Sequence, residues 1–462
     1  MQEGHFDFGL IGLGVMGRNF ILNIAEKGFS TVGLDMDEEK VNALLKEDHP
    51  GKIHATTSAS DFVNSLAKPR KIMFLVPAGA AVDSVIENLI PLLDEGDLLI
   101  DGGNSHFEDT ERRIQYLKDK GLHYLGTGIS GGAEGARFGP SIMPGGDEKA
   151  YEMIKPLFEA AAAKIDGQPC VAFIGQSSAG NYVKMVHNGI EYGLMQLIAE
   201  SYHLLKVTGR DNLELSGIFG EWNQGPLQSF LIEITSKIFS KRDEFNDEDN
   251  LVDKILDKAR QKGTGKWTSQ NAFDLGIPTS IIDTAVTLRG ISALKDDREV
   301  AEKLYNKPII AYDFPETEEV EKALYFAFLL TYVQGFELLR HASEEFGYGL
   351  KLPEIAGIWR GGCIIRAELL ELFRGALNHQ NPLLNQDLSE IIDENSSAAR
   401  SVISFAVMNG IPMPAHASAL SYFDSITLGK LPLNLVQAQR DFFGAHTYER
   451  NDRDGVFTSQ WD

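Results

Sequence analysis

The chain has 462 residues, 43% of them hydrophobic and 24% charged, the make-up of a water-soluble globular protein with material for about three domains. Its 66 acidic residues against 43 basic ones give a net charge of -23. Such a surface repels polyanions, which argues against nucleic acid or an acidic membrane face as a partner and requires any bound anion to meet a local cluster of basic groups.

The N-terminal stretch MQEGHFDFGLIG lacks the basic run, apolar run and small-residue site of a secretory leader. No run of ~18 apolar residues is present, so a cytoplasmic setting is expected. Cys170 and Cys363 stand outside any C-x-x-C pair; they read as small buried hydrophobes rather than as a disulfide, zinc or redox motif.

In chain order, short apolar runs at Phe8–Ile11, Thr31–Leu34, Ile72–Val76, Leu98–Ile100, His123–Leu125 and Val171–Ile174 predict strands. Amphipathic stretches such as Arg18–Lys27 and Val82–Leu93 lie between them. That alternation predicts βαβ units and a parallel sheet covered on both faces. After Gly175 the character changes. Ser178–Lys206, Glu318–Phe346 and Leu388–Asn409 carry apolar residues at three- and four-residue spacing, which predicts long helices. Asp243–Asp249 reads as a solvated loop, and the last ~30 residues as a tail that packs on something. A weak duplication is also visible: Leu215–Ile218 before Trp222 resembles Glu354–Ile358 before Trp359, each after a long helix.

Gly12-Leu13-Gly14-Val15-Met16-Gly17 follows the first strand and precedes a helix. In that setting Gly12 permits the tight turn, Gly14 lets the backbone approach a pyrophosphate, and Gly17 allows close helix–strand packing. Asp35 ends the next strand, where a carboxylate accepts hydrogen bonds from the ribose hydroxyls of NAD. The 2'-phosphate of NADP would meet Asp35 and Asp37 with no arginine nearby, a repulsion on the order of 1–4 kcal/mol. NAD is therefore the expected coenzyme, with NADP possible. The fold class predicted is an α/β Rossmann-like coenzyme domain (1–177), a large all-α domain (178–435) and a C-terminal tail (436–462).

Asp101-Gly102-Gly103-Asn104-Ser105 and Ser130-Gly131-Gly132 each follow a strand at the edge where such sheets bind ligands. On the helix after Gly175, Lys184, Asn188, Glu191 and Tyr192 share an arc of about 100°. Apolar neighbours there suit shifted pKa values and proton transfer, although spacing alone also allows an ordinary helix salt bridge. Lys262-Gly263-Thr264-Gly265-Lys266-Trp267, Arg289, and the pair Arg440 and His446 are candidate anion binders in an acidic chain.

Together these runs resemble the decarboxylating 6-phosphogluconate dehydrogenase family over essentially the whole chain. GLGVMG (12–17), IDGGNS (100–105), SGGAEGARFGPSIMPGG (130–146), VKMVHNGIEYG (183–193), QKGTGKWT (261–268), GIPMP (410–414) and QAQRDFFGAHTYER (437–450) carry the resemblance. It implies a homodimer with shared active sites, in which the tail threads into the partner subunit, and chemistry without a metal. It further implies Lys184 as general base and Glu191 as the acid that protonates C1. Asn104, Ser130, Gly131, Gly132, His187 and Asn188 are implied for the substrate's carboxylate and hydroxyls. Tyr192, Lys262 and Arg289 are implied for its phosphate, with Arg440 and His446 from the other subunit, and Val15, Met16, Val76 and Asn104 near the coenzyme. Against the common pattern, Asp35-Met36-Asp37 replaces Asn-Arg-Ser/Thr and Pro77 replaces a lysine. Ala133, Asn181 and Leu194 replace a glutamate, a histidine and an aspartate.

Overall fold

The computed structural model describes residues 5–49, 51–305, 314–378 and 381–461. Seven strands form one sheet: β1 (Phe8–Ile11), β2 (Thr31–Leu34), β3 (Ile53–Thr56), β4 (Lys71–Phe74), β5 (Leu98–Asp101), β6 (His123–Ser130) and β7 (Ser141–Gly146). Their order is β3-β2-β1-β4-β5-β6-β7, parallel except for the antiparallel β6–β7 pair. Strands β1, β2 and β5 are buried at every position, which is why they read as unbroken apolar runs. Phe20, Ile21, Ile154 and Phe158 cover one face, from helices Val15–Glu26 and Glu148–Ala161. Phe62, Val82, Ile86 and Leu117 cover the other.

Three sheet features depart from the sequence expectation. Ile53–Thr56 is a strand although its polar His54 and Thr56 interrupt any apolar run; it sits at the edge, where one side needs no burial. Strand β6 runs on to Ser130 and pairs with β7 through Gly126 and Gly128. Val171–Ile174 is not a strand. It follows β7 with isolated bridges at Ile142–Val171 and Gly145–Gly175, and Pro144 between them has no N–H to continue a ladder.

The helical part is built on two 29-residue helices, Ala179–Val207 and Thr317–Glu345, packed against one another. Each is followed by a short helix ending in a buried tryptophan, Asn212–Trp222 and Leu352–Trp359; these are the two segments whose sequences resemble each other. Buried Glu200 on the first long helix accepts hydrogen bonds from the Ala415 N–H (2.9 Å) and His416 N–H (3.1 Å). It thereby holds the N-terminus of helix Pro414–Ile426, giving the GIPMP run a structural use.

A helix spans Leu433–Gly444 with Pro432 at its N-cap, so a boundary at 435/436 would fall inside a continuous helix. Asp441 is the one buried residue of that helix. Its carboxylate accepts from the Thr447 N–H (3.0 Å), the Ser459 N–H (3.0 Å) and Trp461 Nε1 (2.9 Å). These bonds fold the end of the chain back on the helix, with Tyr448–Glu449 paired to Val456–Phe457. Leu433, Leu435, Phe442 and Phe443 stand exposed.

Candidate active site

The three glycines after β1 are glycine for three different reasons. Gly12 has φ +94°, and a Cβ there would lie 2.6 Å from the Leu75 carbonyl oxygen. At Gly17 a Cβ would lie 1.9 Å from the Gly12 carbonyl oxygen, so a side chain would drive the helix off the strand. Gly14 is different: a Cβ would meet nothing within 4 Å, and it caps helix Val15–Glu26 with no side chain on the free N–H groups. The protein's own packing makes no demand for glycine there, whereas a pyrophosphate approaching the helix N-terminus does. Val15 is exposed beside this opening, with Met16 half-buried, and Val76 packs against the Gly12 turn from the end of β4.

Asp35 is held rigidly. One carboxylate oxygen accepts from the Leu13 N–H (2.7 Å) and the other from the Asp37 N–H (3.0 Å). Oxygen lone pairs remain for ribose hydroxyls. Sequence reasoning missed one group here: Lys40 Nζ lies 3.6 Å from Asp35 and 3.5 Å from Asp37. The acidic pair therefore has a cation beside it, and Lys40 three residues after Asp37 was the available signal. Pro77 is exposed at the same rim.

Asn104 is exposed at the end of β5. Next to it, the Gly103 carbonyl accepts from Asn181 Nδ2 (3.4 Å), and Thr110 donates to Asn181 Oδ1 (2.9 Å). The residue that departs from the common histidine thus joins this loop to the long helix. Leu194 is buried in the helical core and Ala133 is exposed.

Lys184, His187, Asn188, Glu191 and Tyr192 all lie on helix Ala179–Val207. A Cβ on Gly128 of β6 would sit 2.5 Å from Lys184 Cβ and 3.0 Å from Cγ, so the lysine stem runs directly over a bare stretch of strand. Burial pushes the Lys184 ammonium down to about 8, while Glu191 pulls it the other way. Burial likewise raises the Glu191 carboxyl above its ordinary value, opposed by Lys184 and Arg289. Among the described residues the two make no ion pair; the simple helix salt bridge that spacing allowed is absent.

His187 is fully buried, and burial with Lys184 close by holds its pKa well below the usual histidine value. Its Nε2 lies 3.1 Å from Ser130 Oγ, and its Nδ1 lies 3.1 Å from Asn188 Oδ1 and 3.5 Å from Lys184 Nζ. A neutral ring with its proton on Nδ1 donates to Asn188 and accepts from Ser130. The Ile364 N–H also reaches Ser130 Oγ (3.4 Å), and Trp359 meets the ring edge-on at 5.5 Å. Gly131 and Gly132 follow Ser130 with φ +133° and +63°. The segment 359–364 thus closes the site from behind, unannounced by any motif. Cys363, buried there as expected, has its thiol pushed up to about 12 by burial.

Of the basic groups, the Arg289 guanidinium lies 4.7 Å over the Tyr192 ring. Gly265 underlies the same ring, where a Cβ would come 2.5 Å from Tyr192 Cδ2. Lys262 is exposed one residue before Gly263, the left-handed N-cap of helix Thr264–Asp274. Arg440 and His446 are not brought to this cluster. Both are exposed on the tail, with Gln437 and Phe443 as their neighbours.

The domain described as the NAD binding domain of 6-phosphogluconate dehydrogenase matches residues 7–175, and the 6-phosphogluconate dehydrogenase C-terminal domain matches residues 180–461. The chain belongs to the 6-phosphogluconate dehydrogenase family. It is 50% identical to the decarboxylating 6-phosphogluconate dehydrogenase of Lactococcus lactis subsp. lactis (strain IL1403) over 98% of each chain. Identity is also 50%, over 98% of each chain, to the NADP(+)-dependent, decarboxylating enzyme of Bacillus subtilis (strain 168). The Plasmodium falciparum 6-phosphogluconate dehydrogenase, solved in its apo form and with NADP+ or 6-phosphogluconate, superposes with a TM-score of 0.95 at 44% identity, covering 98% of this chain and all of that one. As a member of this dehydrogenase family the chain is an oxidoreductase with an NAD(P)-binding domain. Among the described residues no helix is long and apolar enough to cross a membrane, and no three His, Cys, Asp or Glu side chains are grouped to hold a metal ion.

Proposed function

We propose that the chain oxidatively decarboxylates 6-phospho-D-gluconate to D-ribulose 5-phosphate and CO2 with reduction of NAD(P), NAD being preferred. The observation that carries the reading is the pair Lys184 and Glu191: a buried amine and a half-buried carboxyl on one helix face, unpaired with each other and shifted toward neutrality from opposite sides. Such a pair suits an amine that must take up a proton and a carboxyl that must give one away.

The open backbone at Gly14 and the fixed Asp35 carboxylate fit a dinucleotide. Gly12, Gly14, Val15, Met16, Gly17, Asp35, Val76 and Asn104 would hold it. A nicotinamide held there would supply the acceptor for the hydride of C3. Lys184 takes the C3 hydroxyl proton, and as an ammonium it then hydrogen-bonds the C3 ketone. That bond draws the electron pair released as the C1 carboxylate departs as CO2. Glu191 protonates the carbon so exposed, which becomes C1 of the product. Asn104, Ser130, Gly131, Gly132, His187 and Asn188 hold the carboxylate and hydroxyls, while Tyr192, Lys262 and Arg289 face the phosphate.

The tail supports a homodimer in which Arg440 and His446 complete the partner's site, since an arm with exposed Leu435, Phe442 and Phe443 calls for a second surface to cover them. The same division into coenzyme domain, helical domain and tail is retained, with the tail taken from Pro432. Asp35 and Asp37 favour NAD; Lys40 between them lowers the cost of a 2'-phosphate, so NADP is accepted more weakly. Initial velocities with 6-phosphogluconate test both parts. The expected kcat/KM is about tenfold higher with NAD. An advantage for NADP overturns the preference, and no turnover with either coenzyme overturns the reaction.

A further inference from the structure

Beneath the loop that carries Asn104 lies a buried charged network that the mechanism does not use. Asp101, the last residue of β5, is fully buried. One of its oxygens accepts from the Gly103 N–H at 2.9 Å; the other accepts from Ser105 Oγ at 2.6 Å and Tyr124 OH at 3.2 Å. Gly103 and Ser105 flank Asn104, so a single carboxylate grips the loop on both sides of it.

The side chain of Arg113 is 1% exposed and lies 3.6 Å from Asp101 Oδ2. Its guanidinium spends its donors in three directions. It donates to Ser105 Oγ (3.2 Å), to Asp83 Oδ1 (2.8 Å) and to the Gly79 carbonyl (3.1 Å). Gly79 caps helix Ala80–Leu89, and Asp83 is in that helix's first turn. These groups end the segment that leaves β4 through Val76. One planar cation therefore bridges the two loops at the carboxyl ends of β4 and β5, where sheets of this topology place a dinucleotide.

We infer that Asp101 and Arg113 are positioning residues: they lock the β4 and β5 loops to each other and so set where Asn104 and Val76 meet the coenzyme and substrate. A packing role alone would be served as well by apolar side chains, because a buried ion pair is costly to desolvate. What apolar groups could not do is hold Ser105 of one loop and the start of helix Ala80–Leu89, Gly79 and Asp83, at hydrogen-bond distance from one group. The lock also reaches the catalytic helix, since Asn181, which holds the Gly103 carbonyl, precedes Lys184 by three residues on the same helix.

The inference rests on the role proposed for Asn104 and is tested in the full-length protein with Arg113→Lys, Asp101→Asn and Ser105→Ala. An ammonium cannot span the three partners of Arg113, and an amide at 101 sets N–H groups against the Ser105 and Tyr124 hydroxyls. Both variants are expected to lower kcat about 10- to 100-fold and to raise the Kd for NADH, read by fluorescence titration, about 3- to 10-fold. Ser105→Ala, which keeps both charges, should move both readouts in the same direction by less. Unchanged NADH affinity and unchanged kcat per NADH-binding site, with only a lower Tm, would overturn the proposal. If the two charge variants do not fold, Ser105→Ala decides by the same two readouts. Wild-type turnover of 6-phosphogluconate, run alongside, tests the reaction separately, and the NADH titration does not depend on its outcome.

Discussion

The long helix and the tail both offer basic groups to the same proposed substrate, but under opposite physical conditions. Lys184 is buried, makes no ion pair among the described residues, and has its pKa lowered to about 8. Arg440 and His446 are exposed on an arm whose helix has one buried residue. Burial makes a cation into a base and weakens it as an anchor. Exposed Arg440, by contrast, offers a planar fork of donors suited to gripping a phosphate. In the proposed reaction proton chemistry thus falls to the long helix, while the tail would add Arg440 to the phosphate contacts of Tyr192, Lys262 and Arg289.

Lys184→Met is the sharpest way to break this contrast. It should lower kcat by about 10²- to 10⁴-fold while leaving the NADH Kd unchanged; substantial turnover would remove the lysine from its role. Glu191→Gln comes next. It should slow product formation about 100-fold and also carry a signature in pH. The Glu191 carboxylate raises the Lys184 pKa, so its removal lowers that pKa below about 8. Because the neutral amine is the active form, the acid limb of the kcat/KM profile should then move to lower pH. A limb that stays in place or moves up would show that the two groups do not sense each other. The smallest effect is expected at the tail. Arg440→Ala should raise KM for 6-phosphogluconate about 10- to 100-fold with kcat little changed. Mixing it with Lys184→Met subunits should restore part of the activity through hybrid dimers, and a mixture as inactive as its parts would count against shared sites.

Legibility in the sequence followed the range of the interactions. The glycine turn at 12–17 and the helix stripe at 184–192 are contiguous, so turn chemistry and a 3.6-residue period are enough to find them. β3 and β7 escaped because a strand of four to six residues with His, Pro or Gly in it has no pattern until its neighbour is known. Lys40 sat within three residues of Asp37 and was readable in principle. Arg113 was not: its partners Asp83 and Asp101 come from different elements, and on sequence alone an arginine in helix Phe107–Lys118 looks solvent-exposed. Pro432, at the N-cap of helix Leu433–Gly444, was a helix-start signal readable in the sequence.

The bare strand under Lys184 has a consequence for how the amine works. With Gly128 leaving no room for any side chain between β6 and the lysine stem, the first two carbons of that side chain lose most of their rotational freedom when the protein folds. What is then left to be ordered at each turnover is the short distal end. Gly128 thereby works as a guide rail, and if Lys184 is the base proposed above, the entropic cost of aiming it is met once, at folding, instead of at every catalytic cycle.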